Sequence, residues 1–534
     1  MAYQAARWLL CLACAAVCVL SSKSLIHYFQ LESYQFPGYF HTLNRNWKRA
    51  CLPGCLGVAL LLVLFALFHP ITASMPWEVI LAFAAVLLAA AGGIGISKIM
   101  QDKKAKKPLV FTPRVKRLYA VYAVCMTVVC LLIGLKMPWA MALCFVPLFL
   151  PVWTALAGLL AWPIEKLISE MYFRDAQRKL RDMKGLIRIG ITGSYGKTSV
   201  KFILGTLLEE RFNVLVTPAS FNTPMGVTKV IREKLTPAHQ IFVSEMGARH
   251  VGDIKEMCRL VHPHMGLLTS VGPQHLETFK TIERITKTKY ELMDAIPQDG
   301  CCFFSDDGDI CRRLYEKTRK PRYLAGLKND VKPDVWAEDI TVGPEGSRFT
   351  LHGAGEAIRC QTRLLGEHNI QNILLSVSVC LHLGMEMEEI ARGIRKLKPV
   401  EHRLQLISTG IGMTIIDDAF NSNPKGASAA LKVISQFPGR RIIITPGMVE
   451  LGAKEAEYNR AFGQEMARCV DLAILVGKKH TRPIAEGLVA AGFDPQAIHS
   501  VASLEESTHY LHQIMRSGDV VLYENDLPDN YAEA

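Results

Sequence analysis

Acidic side chains are nearly missing from the first third of this 534-residue chain. Before Lys166 there are only Glu32, Glu78, Asp102 and Glu165, against fourteen lysines and arginines. That imbalance places almost all of the net charge of +12 in one stretch and leaves the remainder close to neutral. No basic face on a soluble domain stands behind the surplus, so nucleic acid is excluded as a partner. Cysteine pairing is the second thing lacking. Cys11, Cys14, Cys18, Cys51, Cys55, Cys125, Cys130 and Cys144 lie in or beside apolar runs, where the thiol acts as a small hydrophobe. The other seven form no C-x-x-C pair, which excludes a zinc site or a disulfide framework and reads as reduced cytosolic thiols. Internal repeats and low-complexity tracts are also absent, so solenoid and disordered classes fall away.

Apolar runs occupy the acid-poor third, at Trp8 to Leu20, Leu52 to Phe68, Trp77 to Ile96, Leu118 to Leu135 and Pro138 to Trp162. Most approach the roughly 20 residues a spanning helix needs. About five membrane spans are expected over 1–164, the first also being readable as a signal-peptide core after Arg7. Lysine and arginine resist translocation, and they alternate between the connections. Lys23 to Arg49 is basic, His69 to Pro76 carries none, Lys98 to Arg117 is basic again, and the last turn has only Lys136. A multi-pass protein of the cell (plasma) membrane follows, with everything after the fifth span in the cytoplasm. Pro147 and Pro151 mark a kink or re-entrant stretch, and Pro163 reads as a helix end. Residues 165–185 are expected to form a separate linker helix with Leu167, Ile168, Met171, Tyr172 and Leu180 on one side. It would lie either at the bilayer interface or against the next domain.

Beyond it, short apolar strands alternate with helices, the pattern of a doubly wound α/β domain whose ligands gather at strand carboxyl ends. A first series fills 186–399, with a small β excursion near 330–361, and a second fills 400–534. The soluble part has enough residues for two cores.

The run Gly190-Ile191-Thr192-Gly193-Ser194-Tyr195-Gly196-Lys197-Thr198-Ser199 carries most of the chemistry. Between a strand and a helix, its glycines let backbone N–H groups reach phosphate oxygens. Lys197 adds a point charge and the Thr198 hydroxyl suits Mg²⁺. Ile191 stands where the general phosphate loop has glycine, which narrows the type of ATP-binding loop. Glu245 closes the strand Ile241 to Glu245, where a second Mg²⁺-holding carboxylate would sit. His275 follows the next strand and could reach the same metal, although a loop histidine also reads as structural. Lys289 lies on a helix and, taken alone, reads as a solvated face residue.

In the order of these motifs the chain resembles the Mur ligases, within them the branch that adds D-alanyl-D-alanine to a cell-wall tripeptide. The likeness spans about Ile187 to Val521. It rests on the loop already quoted, Ser220-Phe221-Asn222-Thr223, Glu245-Met246-Gly247, Gly272-Pro273-Gln274-His275-Leu276-Glu277 and Lys289-Tyr290-Glu291-Leu292. To these are added Gly366-Glu367-His368-Asn369, His402-Arg403-Leu404, Asp417-Asp418-Ala419-Phe420-Asn421 and Glu450-Leu451-Gly452.

The resemblance implies a central ATP-binding domain, a Rossmann-like C-terminal domain and an ATP-dependent acid–amine ligase working through an acyl phosphate. Gly193, Ser194, Tyr195, Gly196, Lys197, Thr198, Ser199, Asn369, Arg403 and Asp418 would contact ATP. Thr198, Glu245 and His275 would hold Mg²⁺, and Lys289 would be carbamylated. Asn222 and Thr223 would face substrate, and Lys197, His275 and Lys289 would be catalytic. The partners implied are a small-molecule or lipid-linked carboxylate and an amino acid or dipeptide.

Five departures stand out. Membrane spans occupy the place of the usual domain that grips the uridine nucleotide. Tyr523-Glu524-Asn525-Asp526 replaces a Lys-Gly-Ser element, and Gly447 replaces the acid before Met448. Tyr195 and Phe420 stand where Asn and Tyr are usual. Two alternatives keep the same residues: a catalytically silent membrane scaffold with a ligase fold, and an ATP-driven transporter. No transporter-ATPase motif follows the loop, and retention of the loop, Glu245, His275 and Lys289 together argues against a silent scaffold.

Overall fold

The acid-poor third is mostly helical where it is described. In the computed structural model, residues 2–526 are described apart from 33, 73–77, 100–108, 137–139, 219–220, 275, 328–332, 344, 401, 409–411, 420–421 and 450. The chain divides into two units, Met1–Glu170 and Met171–Leu527, with short C-terminal pieces assigned to each.

In the first unit, helices cover Ala2–Ser21, Lys23–Leu31, Phe36–Arg45, Trp47–Thr72, Glu78–Ile99 and Pro113–Lys136. A 3₁₀ turn at Ala140–Phe149 then leads into a helix from Leu150 to Asp182. Three described stretches are long and apolar enough to cross a membrane: Trp47–Leu64, Pro113–Gly134 and Leu143–Asp182. Cys11–Ser21 and Lys23–Leu31 meet at a 41° bend and would make a fourth if counted as one span. Of the third expected span, the stretch Val86–Ile99 is apolar but shorter.

Pro147 does sit in irregular helix, since it lacks the N–H that an α-helical turn needs. Pro163 ends nothing, and the helix runs through it for nearly twenty more residues. The expected separate linker helix is therefore the continuation of the last apolar segment. Of its expected face Leu180 is covered, together with Phe173 and Ala176, whereas Leu167 and Met171 are exposed. Spacings of three and four residues put the first three on one stripe. The buried face of this unit holds Cys14, Cys18, Tyr122 and Cys130. Glu165 receives both Arg117 Nε (2.5 Å) and Nη2 (2.9 Å), a bidentate pair joining two long helices.

The second unit carries two sheets. The strands are β1 (Ile187–Thr192), β2 (Val214–Val216), β3 (Ile241–Glu245), β4 (Met265–Leu268), β5 (Cys301–Ser305), β6 (Arg322–Leu327), β7 (Val335–Gly343), β8 (Gly346–Gly353) and β9 (Glu356–Thr362). They form one sheet in the order β2-β3-β1-β4-β5-β6-β7-β8-β9. Pairing is parallel as far as β7 and antiparallel from β7 to β9, so the expected β excursion is a meander extending the main sheet.

One face is covered by the helices Lys197–Leu208, Glu367–His382 and Met387–Lys396, through Ile203, Leu207, Leu374 and Ile390. The other face packs Val230, Met257, Leu260 and Leu292 together with Phe173, Ala176 and Leu180 of the long helix. That end of the helix therefore packs against the domain. A second sheet contains β10 (Gln405–Ser408), β11 (Thr414–Asp418), β12 (Arg441–Thr445), β13 (Leu472–Val476), β14 (Ile498–Val501) and β15 (Val520–Glu524), ordered β10-β11-β15-β12-β13-β14. Only β10 is antiparallel to its neighbour.

Candidate active site

β1 lies between β3 and β4, so the loop that leaves its carboxyl end opens at the middle of the sheet. Gly193 (φ 151°) and Gly196 (φ 79°) take backbone angles that other residues resist. A Cβ on Gly193 would stand 2.0 Å from Thr269 Oγ1. The loop after β4 clasps this turn. Tyr195 N–H donates to Ser270 Oγ (2.8 Å), and Ser194 Oγ donates to Gly272 O while accepting from Gly272 N–H, both at 3.0 Å. The helix Lys197–Leu208 starts at Gly196, and its first N–H groups make an anion seat. Lys197 Nζ donates to Gly193 O (2.7 Å) and Ser194 O (3.0 Å). Loss of hydration lowers its pKa to about 8, with Glu245 resisting and Arg403 assisting.

Glu245 is the hub. It is buried, and its oxygens accept from Thr198 Oγ1 (3.1 Å to each) and from Asn222 Nδ2 (3.2 Å). Lys201 Nζ lies 3.0 Å from Oε2. Burial alone would raise the carboxyl's pKa, but Lys201 and Lys197 hold it below its ordinary value, so it stays ionised. Sequence reasoning passed over Lys201. The available signal was a lysine one turn after Lys197, flanked by Val200, Phe202 and Ile203 on an otherwise apolar helix.

The remaining named residues are distributed around this hub. Asn222 also accepts Gly247 N–H on its carbonyl (2.9 Å), tying its loop to the end of β3. Thr223, expected to face substrate, also caps the helix Pro224–Glu233 by accepting from Gly226 N–H (3.3 Å). Lys289 is buried on the helix Ile282–Ala295, not solvated as its residue type alone would imply. Burial and the charge of Lys197 depress its pKa well below the usual lysine value. Asn369 donates to Leu365 O (2.9 Å) in the first turn of the helix Glu367–His382.

A cavity of about 680 Å³ lies between the two sheets' domains, lined by Thr198, Ser199, Phe202, Asn369, Lys398 and Arg403. Arg403 sits between His402 (φ 59°) and Leu404 (φ 45°), two left-handed residues that bend the chain into this cavity's wall. Asp418 accepts from Leu404 N–H (3.1 Å), and burial lifts its pKa to about 6. His275 lies outside the described residues. Among the described residues no three His, Cys, Asp or Glu side chains gather to hold a metal. Thr198 and the ionised Glu245 nonetheless offer the hard oxygen donors that suit Mg²⁺, which keeps several waters.

Lysine, threonine and carboxylate at adjoining strand ends describe a nucleotide site, and sequence comparison decides its kind. The profile of the Mur ligase middle domain matches residues 191–380, and that of the Mur ligase glutamate ligase domain matches 402–523. The UDP-N-acetylmuramoyl-tripeptide–D-alanyl-D-alanine ligase of Mycobacterium tuberculosis H37Rv is 30% identical over 360 residues, 63% of this chain and 70% of that protein.

The chain belongs to the Mur ligase family.

It is thus an ATP-dependent carbon–nitrogen ligase. The corresponding Escherichia coli K12 enzyme is 27% identical over 341 residues, 62% of this chain and 75% of its own. Two solved structures show the same fold. MurF from Acinetobacter baumannii has TM-score 0.62 at 24% identity, covering 68% of this chain and 78% of its own. MurF ligase from Thermotoga maritima in complex with ADP has TM-score 0.60 at 24% identity, covering 67% and 80%. Both Mur profiles lie beyond residue 190, so neither covers the apolar helices.

Proposed function

We propose that this chain is a membrane-anchored Mur ligase that extends a peptidoglycan precursor, joining a peptide carboxylate to an amino acid or dipeptide as in UDP-N-acetylmuramoyl-tripeptide–D-alanyl-D-alanine ligase. The observation that carries the reading is one cavity wall shared by Thr198 and Arg403, with Glu245 bonded to Thr198 and both Lys197 and Glu245 within electrostatic reach of Arg403. Lys197 and the loop N–H groups bind the β- and γ-phosphates of ATP. The γ-phosphoryl passes to the acceptor carboxylate oxygen as the bond to ADP breaks. The amine then attacks the acyl carbon, loses a proton, and inorganic phosphate leaves as the amide forms. Positioning and charge neutralisation account for most of the rate.

Thr198 and Glu245 would hold Mg²⁺, with His275 as a further ligand, and the bound ion would supply positive charge for phosphoryl transfer. Lys289 is suited to carbamylation: a neutral buried amine attacks CO₂, loses a proton and becomes an anion beside Lys197. Arg403 arrives from the C-terminal domain, and closure of that domain keeps water from the acyl phosphate. Apolar helices stand where the family's uridine-gripping domain would be, which favours a donor held at the plasma membrane, either nucleotide-linked or lipid-linked. The N-terminal helices span the bilayer and the ligase domains face the cytoplasm.

The test uses the full chain in detergent with ATP, Mg²⁺ and paired carboxylates and amines. Phosphate release that needs both partners, and that falls by about a hundredfold or more in Lys197→Ala, supports the ligase. Release driven by a transported solute would indicate a pump. Nucleotide binding without turnover on any pair would leave a scaffold.

A further inference from the structure

A second cleft opens at the opposite end of the main sheet from the nucleotide loop. Its volume is about 410 Å³ and its walls include Arg188, Lys255, Cys258, Arg259, His262 and His264. Arg188 is the second residue of β1, five positions before Gly193, so about 16 Å of extended strand separates the two sites. The cleft therefore cannot share ligand atoms with the phosphate loop.

The donors in this cleft outnumber their acceptors. Arg188 backbone N–H points at His264 Nδ1 (3.4 Å) and Arg188 Nη2 at His264 Nε2 (3.1 Å). A neutral imidazole can accept at one nitrogen only, so one of these N–H groups faces another donor. Arg188 Nε is buried with no hydrogen-bond partner at all. Among the described residues Arg188, Lys255 and Arg259 form no ion pair. The acids nearby are engaged elsewhere or few. Glu291 accepts the backbone N–H groups of Gly252 and Lys255, both at 2.9 Å, and Asp299 offsets His264 alone. The carbonyl end of the helix Asp253–Val261 accounts for Arg259 in its last turn. It supplies no acceptor to Arg188, which enters from the strand. Burial and the charges of Arg188 and Arg181 also push His262 toward its neutral form, as an unneutralised cationic site requires.

We infer that this cleft binds a phosphate group, with Arg188, Lys255 and Arg259 as its cations and His262 as a further donor. Two arginines and a lysine line one cleft, with the Arg259 guanidinium also lying over the Phe173 ring (4.9 Å), and this cationic lining matches a multiply charged phosphoryl anion better than a single carboxylate. The phosphate could belong to an anionic phospholipid headgroup or to a soluble diphosphate, and the site chemistry is the same for both. This inference does not depend on the ligase reading.

The test has two arms, both in the full-length Lys197→Ala background so that the nucleotide loop does not compete. In one, inorganic pyrophosphate is titrated calorimetrically into the chain held in phosphatidylcholine nanodiscs. In the other, retention of phosphatidylglycerol from mixed micelles is counted by native mass spectrometry. Binding in at least one arm is expected, and Arg188→Gln and Lys255→Glu should each weaken it by about tenfold or more. Lys255 is exposed, so its variant carries little folding risk, and unchanged ATP affinity in chains retaining Lys197 checks that both variants are folded. Binding of the lipid alone identifies a headgroup site, and binding of pyrophosphate alone a soluble ligand. Failure of both probes, or binding that survives either variant within about threefold, overturns the inference.

Discussion

Replacing Lys201 by methionine should damage stability and catalysis together, while a second change at Glu245 restores only the first. The Lys201 and Glu245 side chains are 0% and 1% exposed, with Nζ and Oε2 3.0 Å apart. At that separation and an effective dielectric of about 20, the attraction is about 5 kcal/mol. It must offset the desolvation of both ions, so the pair's net worth is small, whereas stranding one partner costs roughly 3–5 kcal/mol. Lys201→Met therefore leaves a buried carboxylate with only Thr198, Asn222 and the more distant Lys197 to hold it. Calorimetry on the full chain in detergent, following the transition that nucleotide shifts, should show the midpoint fall by about 10 °C. Glu245→Gln should fall comparably. The double variant Lys201→Met/Glu245→Gln removes both charges and should recover most of the loss. Turnover should not return, because the carboxylate that faces Thr198 is gone. Additive losses in the double variant, or a Lys201→Met midpoint equal to wild type, would refute the claim that this pair is a buried, mutually dependent unit.

Three further outcomes follow from named atoms. Gly193→Ala forces a side chain to within 2.0 Å of Thr269 Oγ1 at φ 151°, so nucleotide affinity measured by calorimetry should drop at least about tenfold; retained affinity would contradict the clasped loop. Glu524 is fully buried, and burial above all, with Asp418 adding its charge against the hydroxyls of Ser422 and Thr445, raises its pKa to about 7 from 4.5. A raised folded-state pKa means that its contribution to stability is complete below pH 4.5 and is lost as pH climbs through about 7. Glu524→Gln should thus be more stable than wild type by about 3 kcal/mol at pH 8 and equal to it near pH 4.5, and parallel melting profiles across that range would rule the effect out. For the membrane arrangement, an impermeant thiol reagent outside cells should label a cysteine placed at Ala73 and miss one at Lys116; the reverse pattern would remove the cytoplasmic assignment.

Alternation of short apolar strands with helices was legible because parallel strands covered on both faces read as unbroken apolar runs. Ile241–Glu245 was bounded to the residue for that reason. β5 escaped notice despite the turn residues Pro297-Gln298-Asp299-Gly300 before Cys301, and β6 was obscured because it opens on Arg322 and Tyr323. The phosphate loop was legible because its glycines, lysine and threonine are adjacent in the chain. Lys201 was not, because its role depends on a carboxylate 44 positions away at the end of a neighbouring strand. Thr223 has a local duty as well, capping a helix, which its place in a motif did not announce.

By itself the amino-acid sequence determined what depends on neighbours in the chain: apolar segments, the order of strands and helices, the anion-cradling loop and the surplus of positive charge before Lys166. Tertiary structure alone decided what depends on distant segments meeting. It ran the helix Leu150–Asp182 unbroken through Pro163, neutralised Lys201 with Glu245, and buried Lys289 and Glu524. It also gathered Arg188, Lys255 and Arg259 into one cleft. The physical reason is that hydrophobic periodicity is a property of contiguous residues, whereas desolvation and ion pairing act through space and appear only once the sheet has brought separate strand ends together.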